Sequence, residues 1–311
     1  MKYSDKINNL FSEQLNEWEL AKANYDQLEK VKTRRLDFGD FEILVQLNPE
    51  RIRSSSAKVD AISIGARSCF LCRENRPVQQ RGVAFENKLT VLVNPFPIFT
   101  RHLTIVSDTH TDQRIKPDFG TMLSLAEALS GYVVFYNGPQ CGASAPDHLH
   151  FQAGNRGFLP IEYDFTKGKR TRLLSAKPGI EIWQWTGYLR GIMTLKGADK
   201  NKLVEVFNNF FEKFSAAQPD RPEPMLNILA WCDHDCLVVH LIPRKLHRPC
   251  QYFAEGKDKI ILSPASVDIG GVIITPREED FIKINKNDVE DIFRQVCLDE
   301  DEMHLFFNEL L

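Results

Sequence analysis

Residues 137–152 read Asn-Gly-Pro-Gln-Cys-Gly-Ala-Ser-Ala-Pro-Asp-His-Leu-His-Phe-Gln and carry most of the information in this chain. They follow a strand-like run, YVVFY, at residues 132–136. His148, His150 and Gln152 alternate along the next expected strand, so their side chains should share one face of it. The loop before them contains glycines, which lack a Cβ and allow backbone N–H groups to approach an anion closely.

This combination of groups indicates chemistry at phosphorus. A nucleophilic imidazole, an anion-binding loop and a neutral amide donor are what an in-line attack on a phosphorus centre needs. The alternative interpretation is a pair of core or metal-bound histidines beside a buried glutamine. The glycine- and serine-containing loop directly upstream favours the functional interpretation, with His150 as the nucleophile.

The pattern of apolar residues predicts an α+β protein. In the first half it predicts a polar helix over 4–32, strands over 41–47, 89–93, 103–106 and 132–136, and a helix over 118–129 capped by Asp118. In the second half it predicts a strand over 180–185, a helix starting at Asp199, a hairpin of 227–231 with 237–242, strands over 259–262 and 272–274, and a helix over 287–297. The similar order indicates a duplicated unit.

Four segments follow from this order. We expect an N-terminal helical extension over 1–36, a first half over 37–170 that carries H-x-H-x-Q, a second half over 171–286 and C-terminal helices over 287–311. The basic, glycine-containing stretch at 166–179 is the expected boundary between the halves.

The central segment resembles the active-site signature of a known superfamily. The residues that carry the resemblance are Asn137, Gly142, Ala143, Ser144, Pro146, His148, His150 and Gln152. They resemble the transferase branch of the histidine-triad (HIT-like) superfamily, which includes galactose-1-phosphate uridylyltransferases, diadenosine tetraphosphate phosphorylases and GDP-hexose phosphorylases. The resemblance implies a HIT-like fold of two related halves, each with an antiparallel sheet flanked by helices.

The resemblance also implies roles for single residues. His150 would attack the α-phosphorus and form a covalent nucleotidyl-histidine, and Gln152 would donate a hydrogen bond to a non-bridging oxygen. The nucleotide or its phosphates would contact Asn137, Gly142, Ala143 and Ser144. Hydrolases of the superfamily carry a third histidine at the position of Gln152, so this chain favours transfer to a phosphate acceptor over hydrolysis.

A CxxC pair, Cys69 and Cys72, is by itself a redox pair, half of a zinc site or a coincidence. Uridylyltransferases of the superfamily complete such a site with two histidines, and the matching positions here are His110 and His148. The resemblance therefore implies a structural Zn²⁺ held by all four residues. Phosphorylase relatives generally lack the CxxC pair, so the alternative is two thiols beside unrelated histidines.

Two further stretches have anion-binding character. Gln46-Leu-Asn-Pro-Glu-Arg51 resembles the Q-L-N-x-x-R segment of GDP-hexose phosphorylases, where Asn48 and Arg51 would reach the nucleotide or phosphate. The alternative is a strand end with a solvated arginine. Arg244 and Lys245 lie in a basic turn that is either a phosphate grip or solvated. Residues 101–105, RHLTI, resemble the superfamily's strand where the base and ribose pocket forms, and the favoured alternative is that His102 is a half-buried strand residue.

Composition limits the remaining possibilities. The net charge of −3 gives no overall positive field for nucleic acid or an anionic membrane. The sequence predicts neither a signal peptide nor a membrane span, and its seven cysteines are an odd number without a disulfide framework. We therefore expect a cytoplasmic protein; the resemblance adds a possible homodimer.

The favoured function is a nucleotidyltransferase or phosphorylase that cleaves a nucleoside diphosphate-sugar, with GDP-hexose as the preferred substrate and phosphate as the acceptor. A dinucleoside polyphosphate phosphorylase and a hexose-1-phosphate uridylyltransferase are the enzymatic alternatives. A catalytically idle, zinc-stabilised nucleotide-binding protein is the alternative outside enzymes.

Overall fold

The structure is a computed structural model and describes residues 3–52 and 59–307. The predicted terminal segments therefore extend beyond the described residues at 1–2 and 308–311. The described strands are β1 Lys32–Asp37, β2 Glu42–Leu47, β3 Gly82–Phe85, β4 Leu89–Val93, β5 His102–Ser107, β6 Tyr132–Asn137, β7 His150–Asn155, β8 Thr171–Lys177, β9 Ile180–Trp185, β10 Met193–Gly197, β11 Leu226–Asp233, β12 Cys236–Pro243 and β13 Val272–Thr275. The described α-helices are α1 Tyr3–Glu17, α2 Glu19–Leu28, α3 Ala61–Gly65, α4 Phe119–Ala128, α5 Pro160–Lys167, α6 Lys200–Ala217, α7 Cys250–Phe253, α8 Ser266–Ile269, α9 Glu278–Lys283, α10 Lys286–Val296 and α11 Glu300–Phe307.

Ten strands form one antiparallel sheet in the order β3-β4-β5-β7-β6-β11-β12-β10-β9-β8. Each half contributes three strands, a long helix and two more strands, and in each the last strand inserts beside the third. The halves meet where β6 pairs with β11, with Phe135 opposite Leu229. The predicted pair of related α+β halves is confirmed, and the two antiparallel sheets are continuous with each other.

The long helices cover one face of this sheet. The rings of Phe119 on α4 and Phe207 on α6 stack with centroids 3.7 Å apart, which joins the two helices over the junction of the halves. Both side chains are fully buried, as the helical spacing predicts. Strand β7 turns Phe151 towards this face, so His150 and Gln152 point to the opposite one.

The opposite face packs against a small second sheet of order β1-β2-β13. The single helix predicted over 4–32 is wrong, because the structure has two helices there, followed by strand β1. Helix α1 ends at Glu17, because Trp18 is buried in an extended conformation, and α2 then ends at Leu28. Lys32 instead pairs with Leu47 as the chain turns into β1.

Two other local predictions are wrong. Residues 259–262 form no strand, because Ile261 N–H donates to Asp280 and Ile260 N–H to the Gln251 carbonyl, so neither joins a ladder. Asp118 precedes α4 but does not cap it with its side chain, which pairs with Lys88 instead. None of the described helices has the length and apolar character needed to cross a bilayer.

Candidate active site and metal centre

His150 stands at the start of β7, where a buried glutamine holds its backbone. Gln113 Oε1 accepts a hydrogen bond from His150 N–H at 2.8 Å, and Gln113 Nε2 donates to the His150 carbonyl at 2.9 Å. The same Nε2 donates to the carbonyl of Asn137 at the end of β6. One carboxamide therefore fixes the nucleophile candidate relative to the start of the glycine-containing loop.

The ring of His150 has a defined tautomer. Its Nδ1 lies 2.8 Å from the carbonyl oxygen of His148, which can only accept, so Nδ1 carries the proton. Nε2 therefore holds the lone pair, and it makes no hydrogen bond within the described part of the chain. Burial lowers the pKa of His150 to about 4, so the ring is neutral near neutral pH.

The loop after β6 packs against the segment before α8. Gly142 has a φ of +93°, and a Cβ there would lie 2.5 Å from the Cβ of Ala265, so this close approach requires glycine. Asn137 Oδ1 accepts from Ser266 N–H at 2.8 Å. Ala143 is buried and Ser144 is half-buried, and the Ser144 hydroxyl has no hydrogen-bond partner among the residues described.

The four predicted metal ligands meet in one cluster. Their donor atoms all lie within 4.8 Å of one another. Cys69 Sγ lies 3.3 Å from His148 Nδ1, and Cys72 Sγ lies 3.1 Å from His110 Nδ1. A tetrahedral zinc site with bonds of about 2.0–2.3 Å needs donor separations of about 3.3–3.8 Å. The distances from His148 Nδ1 to Cys69 Sγ and Cys72 Sγ, 3.3 and 3.5 Å, lie in this range and the Cys72–His110 distance lies just below it, so the Cys2His2 cluster could hold such an ion.

Groups around the cluster orient its histidines. His148 Nε2 lies 2.9 Å from the carbonyl oxygen of Ser107, so Nε2 carries the proton and Nδ1 is free to bind a metal. Asp147 lies 3.9 Å from His110 Nε2 and accepts from Arg67 at 2.7 Å. A backbone acceptor thus holds the His148 ring, and a carboxylate lies near the His110 ring without a hydrogen bond to it.

Comparison with known proteins gives two family matches that follow one another along the chain. Residues 10–155 match a family described as a domain of unknown function, DUF4922, and residues 165–309 match the GDPGP1-like, C-terminal domain. No curated protein matches the sequence with significance.

Among solved structures, yeast Ap4A phosphorylase Apa2 in complex with Ap4A is similar to this protein, with a TM-score of 0.58 and 16% sequence identity. The match covers 91% of this chain and 97% of the Apa2 chain. Its AMP complex matches 91% and 96%, with a TM-score of 0.56 and 17% identity. The chain therefore shares its fold with Ap4A phosphorylase Apa2, which is the kind of fold that the resemblance to the HIT-like transferase branch predicts. The GDPGP1-like match over residues 165–309 and this shared fold agree with the predicted relationship to that branch.

Asn48 and Arg51 fix a loop beside the site. Asn48 is buried, and its Nδ2 donates to the Pro97 carbonyl at 3.1 Å. Arg51 Nη1 donates to the Phe96 carbonyl at 3.0 Å, so the arginine is not a solvated strand end. The next residue of this loop, Ile98, donates its N–H to His102 Nδ1 at 3.2 Å.

The basic turn after β12 is structural. Arg244 is fully buried, and its guanidinium donates to Asn227 and to the carbonyls of Pro264, Val296, Leu246 and His247. No donor remains for a phosphate, so the predicted phosphate grip is wrong for Arg244. Lys245 pairs with Glu302 of α11 at 2.8 Å, which directs it towards the C-terminal helix.

The second half has no counterpart of the predicted pair His150 and Gln152 at the matching strand positions. Gln152 lies opposite Thr104 and Phe135, and the matching position opposite Thr194 and Leu229 is His240. Two residues before it, Val238 occupies the position of His150. His240 is fully buried and bonds Thr194 at 2.6 Å. The predicted nucleophile and its amide partner thus occur together only in the first half.

Three residues that the sequence analysis did not assign to the site lie beside its central groups. Gln113 holds the His150 backbone, Ser107 orients His148, and His102 bonds Gln152 at 3.0 Å. His102 is also fully buried, where a half-buried residue was predicted. Gln113 and Ser107 lie outside any recognisable motif. The RHLTI stretch around His102 resembled a pocket strand of the superfamily and was the one available signal.

Proposed function

We propose that this protein is a nucleotidyl-transferring phosphorylase that acts through a covalent nucleotide adduct on His150. The observation that carries the proposal is the His150 ring, whose Nδ1 proton is held by the His148 carbonyl and whose Nε2 lone pair is available. Gln152 lies two residues along the same strand face. A binding protein needs no nucleophile with a fixed tautomer, which favours an enzyme over the idle alternative.

Two displacements account for the reaction. His150 Nε2 attacks the α-phosphorus of a nucleoside diphosphate-sugar, the Nε2–P bond forms and the P–O bond to the β-phosphate breaks, which releases the sugar 1-phosphate. Inorganic phosphate then attacks the same phosphorus, the Nε2–P bond breaks, and a nucleoside diphosphate leaves. Nδ1 keeps its proton throughout and donates it to the His148 carbonyl oxygen, which stabilises the positive charge of the ring in the adduct. Gln152 donates to a non-bridging oxygen, where negative charge increases in the transition state.

The remaining side chains of the site have binding roles in this proposal. Ser144, the Asn137 amide group and the backbone around Gly142 face the phosphates. The positive φ of Gly142 and its packing against Ala265 hold this backbone in place. Asn48 and Arg51 contribute through the loop they hold, close to the nucleotide. A Zn²⁺ bound by Cys69, Cys72, His110 and His148 would fill all four ligand positions and would serve as a structural ion.

The substrate class is proposed from two kinds of likeness. The Q-L-N-x-x-R stretch at 46–51 resembles GDP-hexose phosphorylases, and the second half matches the GDPGP1-like domain, so GDP-hexose is the preferred donor. The likeness of the fold to Ap4A phosphorylase Apa2 supports a dinucleoside polyphosphate as the second candidate. The Cys2His2 cluster favours a third, hexose-1-phosphate uridylyl transfer.

One labelling experiment tests these proposals together. The protein is incubated with α-³²P-labelled GDP-, UDP- and ADP-sugars and with labelled diadenosine tetraphosphate, with and without inorganic phosphate. Intact mass is then read without an acid quench, since a phosphoramidate is labile in acid. We expect a nucleotidyl adduct that His150→Ala abolishes, and release of nucleoside diphosphate when phosphate is added.

The matched control is His234→Ala, the same substitution at an exposed hairpin residue. It should label like the wild type. Absence of label in the wild-type protein with every donor would refute the covalent mechanism, and loss of the metal in His150→Ala would show that the ligand assignment is wrong.

A further inference from the structure

We infer that His102 is a positioning residue that turns the NH₂ group of the Gln152 carboxamide towards the ligand. His102 lies on β5 and Gln152 on the neighbouring β7, and their side chains meet with His102 Nε2 at 3.0 Å from Gln152 Oε1. The inference deepens the proposed function, on which its catalytic consequence rests. It concerns a contact that the sequence motif does not contain.

The tautomer of His102 follows from its second contact. Ile98 N–H points at His102 Nδ1 at 3.2 Å, and a backbone amide can only donate. Nδ1 must therefore be the unprotonated acceptor, and the proton of the neutral ring lies on Nε2. Burial and the nearby Arg51 charge lower the pKa of His102 to about 3, which keeps the ring neutral.

The Nε2–H group of His102 is compatible with only one of the two orientations of the Gln152 amide. The oxygen of Gln152 must face His102, because its NH₂ group would bring two donors together. The Gln152 NH₂ then lies on the far side, and it has no hydrogen-bond partner among the described residues. A site prepared in this way offers donors to an anionic, acceptor-rich ligand. The opposite orientation would present a carbonyl oxygen and repel a phosphate.

Packing keeps the His102 ring from rotating away. The ring is fully buried and meets the edge of Phe99 with centroids 5.3 Å apart. Phe99 in turn lies over β7 at Gly154, where a Cβ would come within 2.3 Å of its ring. The absence of a side chain at Gly154 therefore lets Phe99 close over the strand beside Gln152.

Two amide substitutions separate the two contacts of His102. In His102→Asn the amide oxygen can take the place of Nδ1 and keep the Ile98 contact, but no donor reaches Gln152. In His102→Gln the amide NH₂ can take the place of Nε2 and keep the donor to Gln152, while the Ile98 contact is lost. We expect His102→Gln to retain adduct formation within about 5-fold, and His102→Asn to lose about 30-fold or more in rate with little change in KM, since a donor to a developing oxyanion acts on the chemical step.

The order of the two variants decides the inference. Equal losses, or a more active His102→Asn, would assign His102 to loop support and overturn the positioning role. A second measurement needs no activity: long-range ¹H–¹⁵N spectra of the wild-type protein report the His102 tautomer, assigned by the signal missing from His102→Asn. The Nε2–H form is expected, and an Nδ1–H form would refute the inference. If the wild type forms no adduct with any donor, the proposed function fails while the tautomer still decides this point.

Discussion

The carbonyl oxygen of His148 lies 2.8 Å from Nδ1 of His150, while the ring of His148 turns away into the Cys2His2 cluster. One residue therefore contributes its side chain to the candidate metal centre and its backbone to the tautomer of the nucleophile. Because the two contacts share one Cα, a shift of the His148 ring moves the acceptor that holds the His150 proton. The candidate metal centre and the proposed nucleophile are therefore coupled through a single residue.

Loss of the metal should therefore reduce both stability and activity. We expect the purified protein to contain stoichiometric Zn²⁺ by mass spectrometry of the metal. Cys69→Ser should lose it, melt at a lower temperature and lose about 10- to 100-fold in adduct formation, the range typical of disturbed metal shells. Cys236→Ser is the matched control, because Cys236 lies on the hairpin outside the cluster. A wild-type protein that carries no metal, or a Cys69→Ser variant that keeps it, would contradict the assignment.

Gln113 should matter for the chemistry although it touches no substrate in the proposed reaction. In Gln113→Glu the carboxylate can still accept from His150 N–H but cannot donate to the carbonyls of His150 and Asn137. Leaving these buried acceptors unpaired should cost about 1–3 kcal/mol in unfolding free energy and slow adduct formation. Gln140→Glu is the control, since Gln140 accepts a hydrogen bond from Arg221 and a carboxylate keeps that contact. Full activity of Gln113→Glu would show that His150, at the start of β7, does not depend on the hydrogen bonds that Gln113 donates.

Substitutions at the neighbouring residues Arg244 and Lys245 should differ strongly in their effect on the free energy of unfolding. Arg244→Lys replaces five buried donors by at most three, too few for Asn227 and the four carbonyls together, so we expect a loss of about 3 kcal/mol in urea unfolding. Lys245→Ala removes a half-exposed ion pair with Glu302 and should cost less than about 1 kcal/mol. If Arg244→Lys were as stable as the wild type and still lost phosphate turnover, Arg244 would be a ligand-binding residue after all.

The difference between these two residues shows what a sequence reveals and what it does not. Strong alternation and helical spacing were enough to place β4, β5, β6 and α6, because those patterns depend on neighbours along the chain. Whether Arg244 meets water or five internal acceptors depends on segments some twenty and fifty residues away in the chain, such as Pro264 and Val296. Local patterns carry no information about such partners.

The same reasoning separates the parts of the candidate site. His150, Gln152 and the four predicted metal ligands stand in recognisable spacings, and the structure brings those four side chains together. Gln113 is an isolated polar residue in a polar stretch, and only the fold places it between β6 and β7. Trp18 likewise fits a helical pattern along the chain. The helix is nevertheless interrupted there, because Trp18 is buried in an extended conformation between α1 and α2.

Glu223 should make the stability of the protein depend on pH. This buried carboxyl accepts from Tyr136 Oη and from Ile115 N–H, both at 2.6 Å, and Arg114 is the charged group nearby. Burial raises its pKa to about 7, from 4.5 in the unfolded chain. The native state then holds a proton that the unfolded state has released between these two values, so the stabilising contribution is complete below pH 4.5 and is lost as pH rises through 7.

Glu223→Gln keeps a neutral amide at this position at every pH and should remove that dependence. Relative to wild type, the variant's unfolding free energy in urea should therefore rise by on the order of 2–3 kcal/mol between about pH 5 and pH 8, since each pKa unit corresponds to about 1.4 kcal/mol. Glu212→Gln, the same change at an exposed residue of α6 that pairs with Lys116, should show no comparable trend. A difference between Glu223→Gln and wild type that stays flat across this range would mean that Glu223 is already ionised in the folded protein. Arg114 would then be the group that holds its charge, because no other cation is known to act on this carboxyl among the residues described.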